Sequence, residues 1–166
     1  GQRNGLLASF ALIAGMMVLA LGSWRAGLLS MLPNALPLLA PVGWLGATWP
    51  QVDSDFLLIA LLAIGIGVDD TIHFLTRYRV EAARCEEGAL QRTYAFAGRA
   101  IVMTTVILVA GFLPMAASGY LTLRWMGTLL PLTLAVALVA DLLLVPAMAA
   151  LGWLRFPGPP ARAPGE

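Results

Sequence analysis

Five apolar stretches, each about as long as a bilayer is thick, divide this chain and leave it little choice of fold. Crossing the hydrocarbon core takes about 20 predominantly apolar residues in an α-helix. A helix meets its own backbone hydrogen-bonding needs there, which an open strand or loop does not. Runs 6–21, 27–49, 56–76, 100–120 and 125–153 qualify, and the connections 22–26, 50–55 and 121–124 are short. The expected structure is an all-α membrane helix bundle over 1–154, with five transmembrane helices. Composition agrees: of 166 residues, 60% are hydrophobic and 11% charged, against about 25% charged in soluble domains. The tail 155–166 is dominated by PGPPARAPGE, too rich in proline and glycine to fold, and is expected to be disordered.

All ten basic residues are arginine, and their placement sets the expected orientation. With spans of alternating direction, eight fall on one side (Arg25, Arg77, Arg79, Arg84, Arg92, Arg99, Arg155 and Arg162) and two, Arg3 and Arg124, on the other. The poorer side also carries Asp53 and Asp55. The N-terminus is therefore expected outside and the C-terminus in the cytoplasm. The chain opens on Gly1 with no signal-peptide pattern, and its span count is odd. It reads as a piece of a longer protein whose preceding span lies upstream. The single cysteine, Cys85, permits no intrachain disulfide. A net charge of +1 points to no partner, and nothing indicates nucleic acid.

Two stretches have a structural and a functional reading each. In the second span Pro33, Pro37 and Pro41 recur every four residues, on nearly one face, each removing a backbone donor. The helix is expected to bend as a unit, either as an element that moves or as a static kink that improves packing. The segment 77–99, RYRVEAARCEEGALQRTYAFAGR, reads as one amphipathic helix, or two broken near Gly88, along the cytoplasmic interface. Its arginines either meet anionic lipid headgroups or simply fix the topology.

The chemistry concentrates in 63–76, AIGIGVDDTIHFLT. At 1.5 Å per residue, Asp69 lies about 20 Å along the helix from Phe56, well inside the membrane. A charge at the centre of a spanning helix costs about 2.5–3.5 kcal/mol, so such residues mark function by default. Adjacent positions point about 100° apart, so Asp69 and Asp70 address two neighbouring surfaces. They are expected to titrate as a coupled unit and to carry protons as the coupling ion. His73 follows at a spacing of three and four, in reach of either aspartate, to relay a proton or merely to hydrogen-bond a carboxylate. Gly65 and Gly67 suit close helix packing. Thr104 and Thr105 either accept a hydrogen bond from the aspartates or bond their own backbone. Asp141 in the last span is expected to join the relay or to pair with an arginine such as Arg99.

Other chemistries find no support. There is no phosphate-binding glycine loop with lysine, no zinc-ligand spacing and no nucleophilic serine–histidine pattern. An intramembrane aspartyl protease carries G-x-G-D, whereas Gly65–Asp69 reads GIGVD, one residue too long, and Asp141 stands in V-A-D. The chain is not expected to be an enzyme, and no cofactor or metal is expected.

The run GIGVDDTIHFLTRYR resembles the fourth helix of the membrane domain of the resistance-nodulation-division (RND) superfamily, nearest its MMPL-type and sterol-sensing-domain-like branch. RNGLLASF and GLLSMLPNALPLL are similar to the second and third helices, GRAIVMTTVILVAGFLPMAASG to the fifth, and the stretch to ADLLLVPAM to the sixth. The resemblance covers nearly the whole chain and implies a six-helix repeat, here lacking its first helix and the extracytoplasmic domain that follows it, in the carboxyl half of the full protein. It implies that Asp69 and Asp70 carry protons that drive export of hydrophobic or lipidic molecules across a bacterial inner membrane. The implied partners are membrane lipids, the substrate, the missing N-terminal half and possible further copies of the protein. Several family members pair the acids with an intramembrane lysine; this chain has no lysine. The alternative is a sterol-sensing-like lipid-binding regulatory domain without transport.

Overall fold

A computed structural model of the chain describes residues 2–48 and 54–153. These residues are helical almost throughout: α1 Gln2–Leu21, α2 Trp24–Leu29, α3 Met31–Thr48, α4 Ser54–Arg84, α5 Ala89–Thr93, a π-helical turn Tyr94–Gly98, α6 Arg99–Phe112, a 3-10 turn Leu113–Ala117, and α7 Leu121–Ala150. Among them, three helical segments are long and apolar enough to cross a membrane: Leu58–Arg84, Ala89–Ala117 and Leu121–Ala150. Ala8–Leu21 is a shorter apolar helix. The expected tail and Asp53 lie outside the described residues.

Directions alternate from span to span. One apolar cluster gathers Leu21 from the end of α1, Ala26, Phe74 and Leu75 from late α4, Ile101 from early α6, and Val145 and Met148 from late α7. A second gathers Ile59 and Ala63 from early α4, Phe112 from late α6, and Leu129, Leu130 and Leu134 from early α7. Thus α4 and α7 run together and α6 runs against them. The central element is α7, which packs on α3, α4, α6 and the 3-10 turn. Gly127 makes the last contact possible, because a Cβ there would lie 2.1 Å from the Ala116 backbone nitrogen.

The second span is not one helix. It breaks at Ser30, between α2 and α3. Pro33 explains the position: an uninterrupted helix would leave the Leu29 carbonyl without its donor. With a start at Met31, Pro33 falls in the first turn, where no N–H is required. Pro33 and Pro37 are both buried, on a shared face.

Of the two forms expected for segment 77–99, one helix or two broken near Gly88, the structure has the break. α4 runs on to Arg84 through the helix-favouring VEAAR, and Gly88, at φ 72°, turns the chain into α5. Its two halves are therefore continuations of the flanking spans, joined as a helical hairpin. Glu81, 3% exposed, clasps that hairpin between Arg77 (2.6 Å) and Arg92 (2.8 Å). Arg92 also donates to the Cys85 and Glu87 carbonyls.

Candidate functional site

Three consecutive residues of α4, Asp69, Asp70 and Thr71, pass from open crevice to sealed packing: exposed, half-buried and buried in turn. This follows from the 100° step of the helix, with a crevice on one side of α4 and α3 and α7 packed on the other.

The crevice has a volume of about 860 Å3 and opens between α4 and the helix that begins with the π turn. Gly65, Asp69, Asp70, His73, Arg77 and Thr104 supply its polar or bare positions, while Ile66, Ile101, Ile107 and Leu108 make its apolar wall. Asp69 and His73 stand in it with side chains 72% and 71% exposed, His73 Nε2 lying 3.6 Å from Asp69 Oδ1. Of the two expected partners, His73 therefore takes Asp69. Arg77 closes one end; its guanidinium lies 4.7 Å from the centre of the Phe96 ring, and its buried Nε has no hydrogen-bond partner. Among the described residues no group of His, Cys, Asp or Glu side chains converges as a metal site.

Asp70 is half-buried and lies within electrostatic reach of Asp141 on α7. Thr71, fully buried, meets Asp141 directly: its Oγ1 and Asp141 Oδ1 are 2.6 Å apart. The same hydroxyl lies 3.3 Å from Asn34 Oδ1 on α3 and 3.1 Å from the Gly67 carbonyl oxygen. Asn34 Nδ2 in turn donates to the Ser30 carbonyl at 2.8 Å. A polar chain thus crosses the bundle from α7 through α4 to the break before α3.

Several expected roles are located by this arrangement, and two are corrected. Gly67 packs between α3 and α7, although a Cβ there would meet Asn34 Oδ1 at 3.4 Å and the Ala137 Cβ at 3.7 Å, both ordinary contact distances. Gly65 does not: it faces the crevice with nothing within 4 Å. Asp141 is not paired with Arg99, which is exposed. Asp141 itself is 2% exposed and engaged with Thr71, because it sits about two and a half turns inside the C-terminal end of α7 rather than at its end. Thr104 lies in the crevice but donates to its own helix, at the Ala100 and Ile101 carbonyls, and Thr105 is buried on another face of α6.

Asn34 and Thr71 were missed as site residues. The available signal was modest: a lone amide in the proline-rich span and a threonine directly after the aspartates. Equally hidden was the partner of Pro146. That proline deprives the Leu142 carbonyl of its helical donor, and the Tyr94 hydroxyl donates to Leu142 O instead. Here a neighbouring helix satisfies a carbonyl freed inside the membrane.

A family model, described as the MMPL family, matches residues 3–163. The chain is also similar to a protein of Methanocaldococcus jannaschii named "Putative membrane protein MJ1562", with 27% identity over 142 residues, 82% of this chain and 36% of that protein. The chain thus spans little more than a third of that relative's length. No solved structure matches it. Nearly every residue falls within the one family model, including the aspartate-bearing helix and the span that packs against it, and the chain belongs to the MMPL family.

Proposed function

We propose that the chain is part of the membrane domain of a proton-motive-force-driven exporter of hydrophobic or lipidic molecules, of RND type. Its N-terminus lies outside and its C-terminus in the cytoplasm of a bacterial inner membrane. The observation that carries this reading is the division of the aspartate pair. Asp69 and Asp70 both line the crevice, but Asp69 stands open beside His73, while Asp70 is half-buried and within electrostatic reach of Asp141. A proton arriving from the crevice side changes the charge felt inside the bundle. The membrane potential contributes about 2.3 kcal/mol per charge per 100 mV, enough to shift a two-state helix packing.

The apolar wall of the crevice, with Ile66, Ile101, Ile107 and Leu108, favours a second reading, a lipid-binding regulatory domain of sterol-sensing type. A sensor has no use for two protonatable groups inside the membrane, and transport is preferred on that ground. Proton uptake by the protein at native full length in proteoliposomes separates the two. Under the exporter reading, uptake by wild type is lost in Asp70→Asn and impaired in Asp69→Asn at equal membrane abundance. Wild type that moves no protons in any lipid mixture sinks the exporter and favours the sensor.

A further inference from the structure

We propose that Asp141 is a second proton-binding site, separate from the crevice, whose proton completes a hydrogen-bond chain tying α7 through Thr71 to Asn34 of α3. Around Thr71 Oγ1 stand three oxygens: Asp141 Oδ1 at 2.6 Å, the Gly67 carbonyl at 3.1 Å and Asn34 Oδ1 at 3.3 Å. A threonine hydroxyl brings one hydrogen, and neither the carbonyl nor the amide oxygen brings any. The Asn34 amide nitrogen is directed to the Ser30 carbonyl.

With Asp141 ionised, the one hydrogen turns to the carboxylate, the strongest acceptor present. The Gly67 and Asn34 oxygens then face only lone pairs of Thr71. With Asp141 protonated, its own O–H donates to Thr71 Oγ1, and the threonine hydrogen passes on toward Asn34 Oδ1 or Gly67 O. Only the protonated form links all three helices through donated hydrogens. The separation of 2.6 Å accommodates either form, since neutral and charge-assisted O–H···O bonds both reach it.

The surroundings favour a proton over a counter-charge. Asp141, Thr71 and Asn34 are 2%, 0% and 5% exposed, and a buried carboxylate without a cation is costly. α3 contributes no titratable side chain between Met31 and Thr48. On α4, Asp69, Asp70, His73 and Arg77 line the crevice, and of these Asp70 alone reaches Asp141 electrostatically. Arg99 of α6 is exposed, and Tyr94 of the π turn donates its hydroxyl to Leu142 O, one residue along α7. Two neighbouring carboxyls resist being anionic together, so the state of Asp70 is felt at Asp141. The break at Ser30, bonded to Asn34, places the end of this chain where α2 gives way to α3.

The proposal deepens the proton-driven reading, and rests on it only for the use to which the proton is put. The test is infrared difference spectroscopy between acidic and alkaline buffer, on the full-length protein in liposomes. The expected result is a carboxylic-acid carbonyl band that is lost in Asp141→Asn and persists in Asp70→Asn. In Thr71→Val the band moves to higher frequency, its hydrogen-bond partner removed; in Thr71→Ser it returns. Asparagine at 141 keeps a donor toward Thr71, and the Thr71 pair leaves Asp141 untouched, so the two experiments fail independently. A spectrum unchanged by Asp141→Asn, or a band indifferent to Thr71→Val, overturns the site. Loss of proton uptake as a wild-type property, with the Asp141 band intact, overturns the exporter and leaves the site standing.

Discussion

Asp69 and Thr71 are two positions apart on α4, yet one side chain is 72% exposed and the other wholly buried. That contrast lets one helical turn connect an open crevice with a sealed contact between helices. His73 shares the crevice with Asp69 at 3.6 Å, so its two expected roles become separable. If it relays protons, His73→Ala slows proton uptake and changes the shape of its pH profile, which stopped-flow measurement with an entrapped dye reads directly. A profile of unchanged shape assigns His73 to orienting Asp69 alone. The aspartates were legible in the sequence because carboxyls inside an apolar run are conspicuous. Asn34 and Thr71 were not, because an amide or hydroxyl in a spanning helix usually bonds its own backbone. Only the register of α3 and α7 against α4 turns them toward one another. The same ignorance of register sent Asp141 to Arg99, a partner it does not have.

At the scale of the element, helix ends and breaks were read with mixed success for a single physical reason. A break near Gly88 was one of two expected forms of the arginine-rich segment and is the one found, since its φ of 72° suits glycine and costs other residues. The break at Ser30 was unexpected, because apolar character continues through it and the cause, Pro33, lies three residues downstream. Close approaches were half-legible. Glycine is visible in a sequence; what it touches is not. Gly127 and Gly65 make the contrast measurable. Gly127→Ala drives a methyl into the Ala116 and Met115 backbone and is expected to cost about 3 kcal/mol, the upper part of the usual overpacking range. Gly65→Ala meets nothing within 4 Å and is expected to leave stability within about 0.5 kcal/mol. Reversible unfolding in mixed micelles checks both, and equal effects would contradict the α7 contact described above. Tyr94→Phe removes the one donor to the carbonyl freed by Pro146 and is expected to cost about 0.6–1.7 kcal/mol in the same assay.

For the molecule as a whole, the hairpin of α4 and α5 is closed by Glu81 between Arg77 and Arg92. Glu81→Gln leaves two guanidinium groups facing one another without the charge that separates them. It is expected to lower the melting temperature and to open the 85–88 turn to protease, while insertion in the membrane continues; a turn as resistant as in wild type would show that Arg92's backbone contacts suffice. The π turn at Tyr94–Gly98 has a consequence for the same hairpin. Such a turn is an α-helix carrying one residue more than its pitch accommodates, and so it sets the rotational phase between α5 and α6. Deleting Ala95 would regularise the helix and rotate everything before it by about 100°. Arg92 would swing off Glu81 and Tyr94 off Leu142, with no polar residue lost. Sequences in which this stretch is one residue shorter should therefore carry a different clasp: the length of the segment, more than its composition, decides which residues the hairpin brings together.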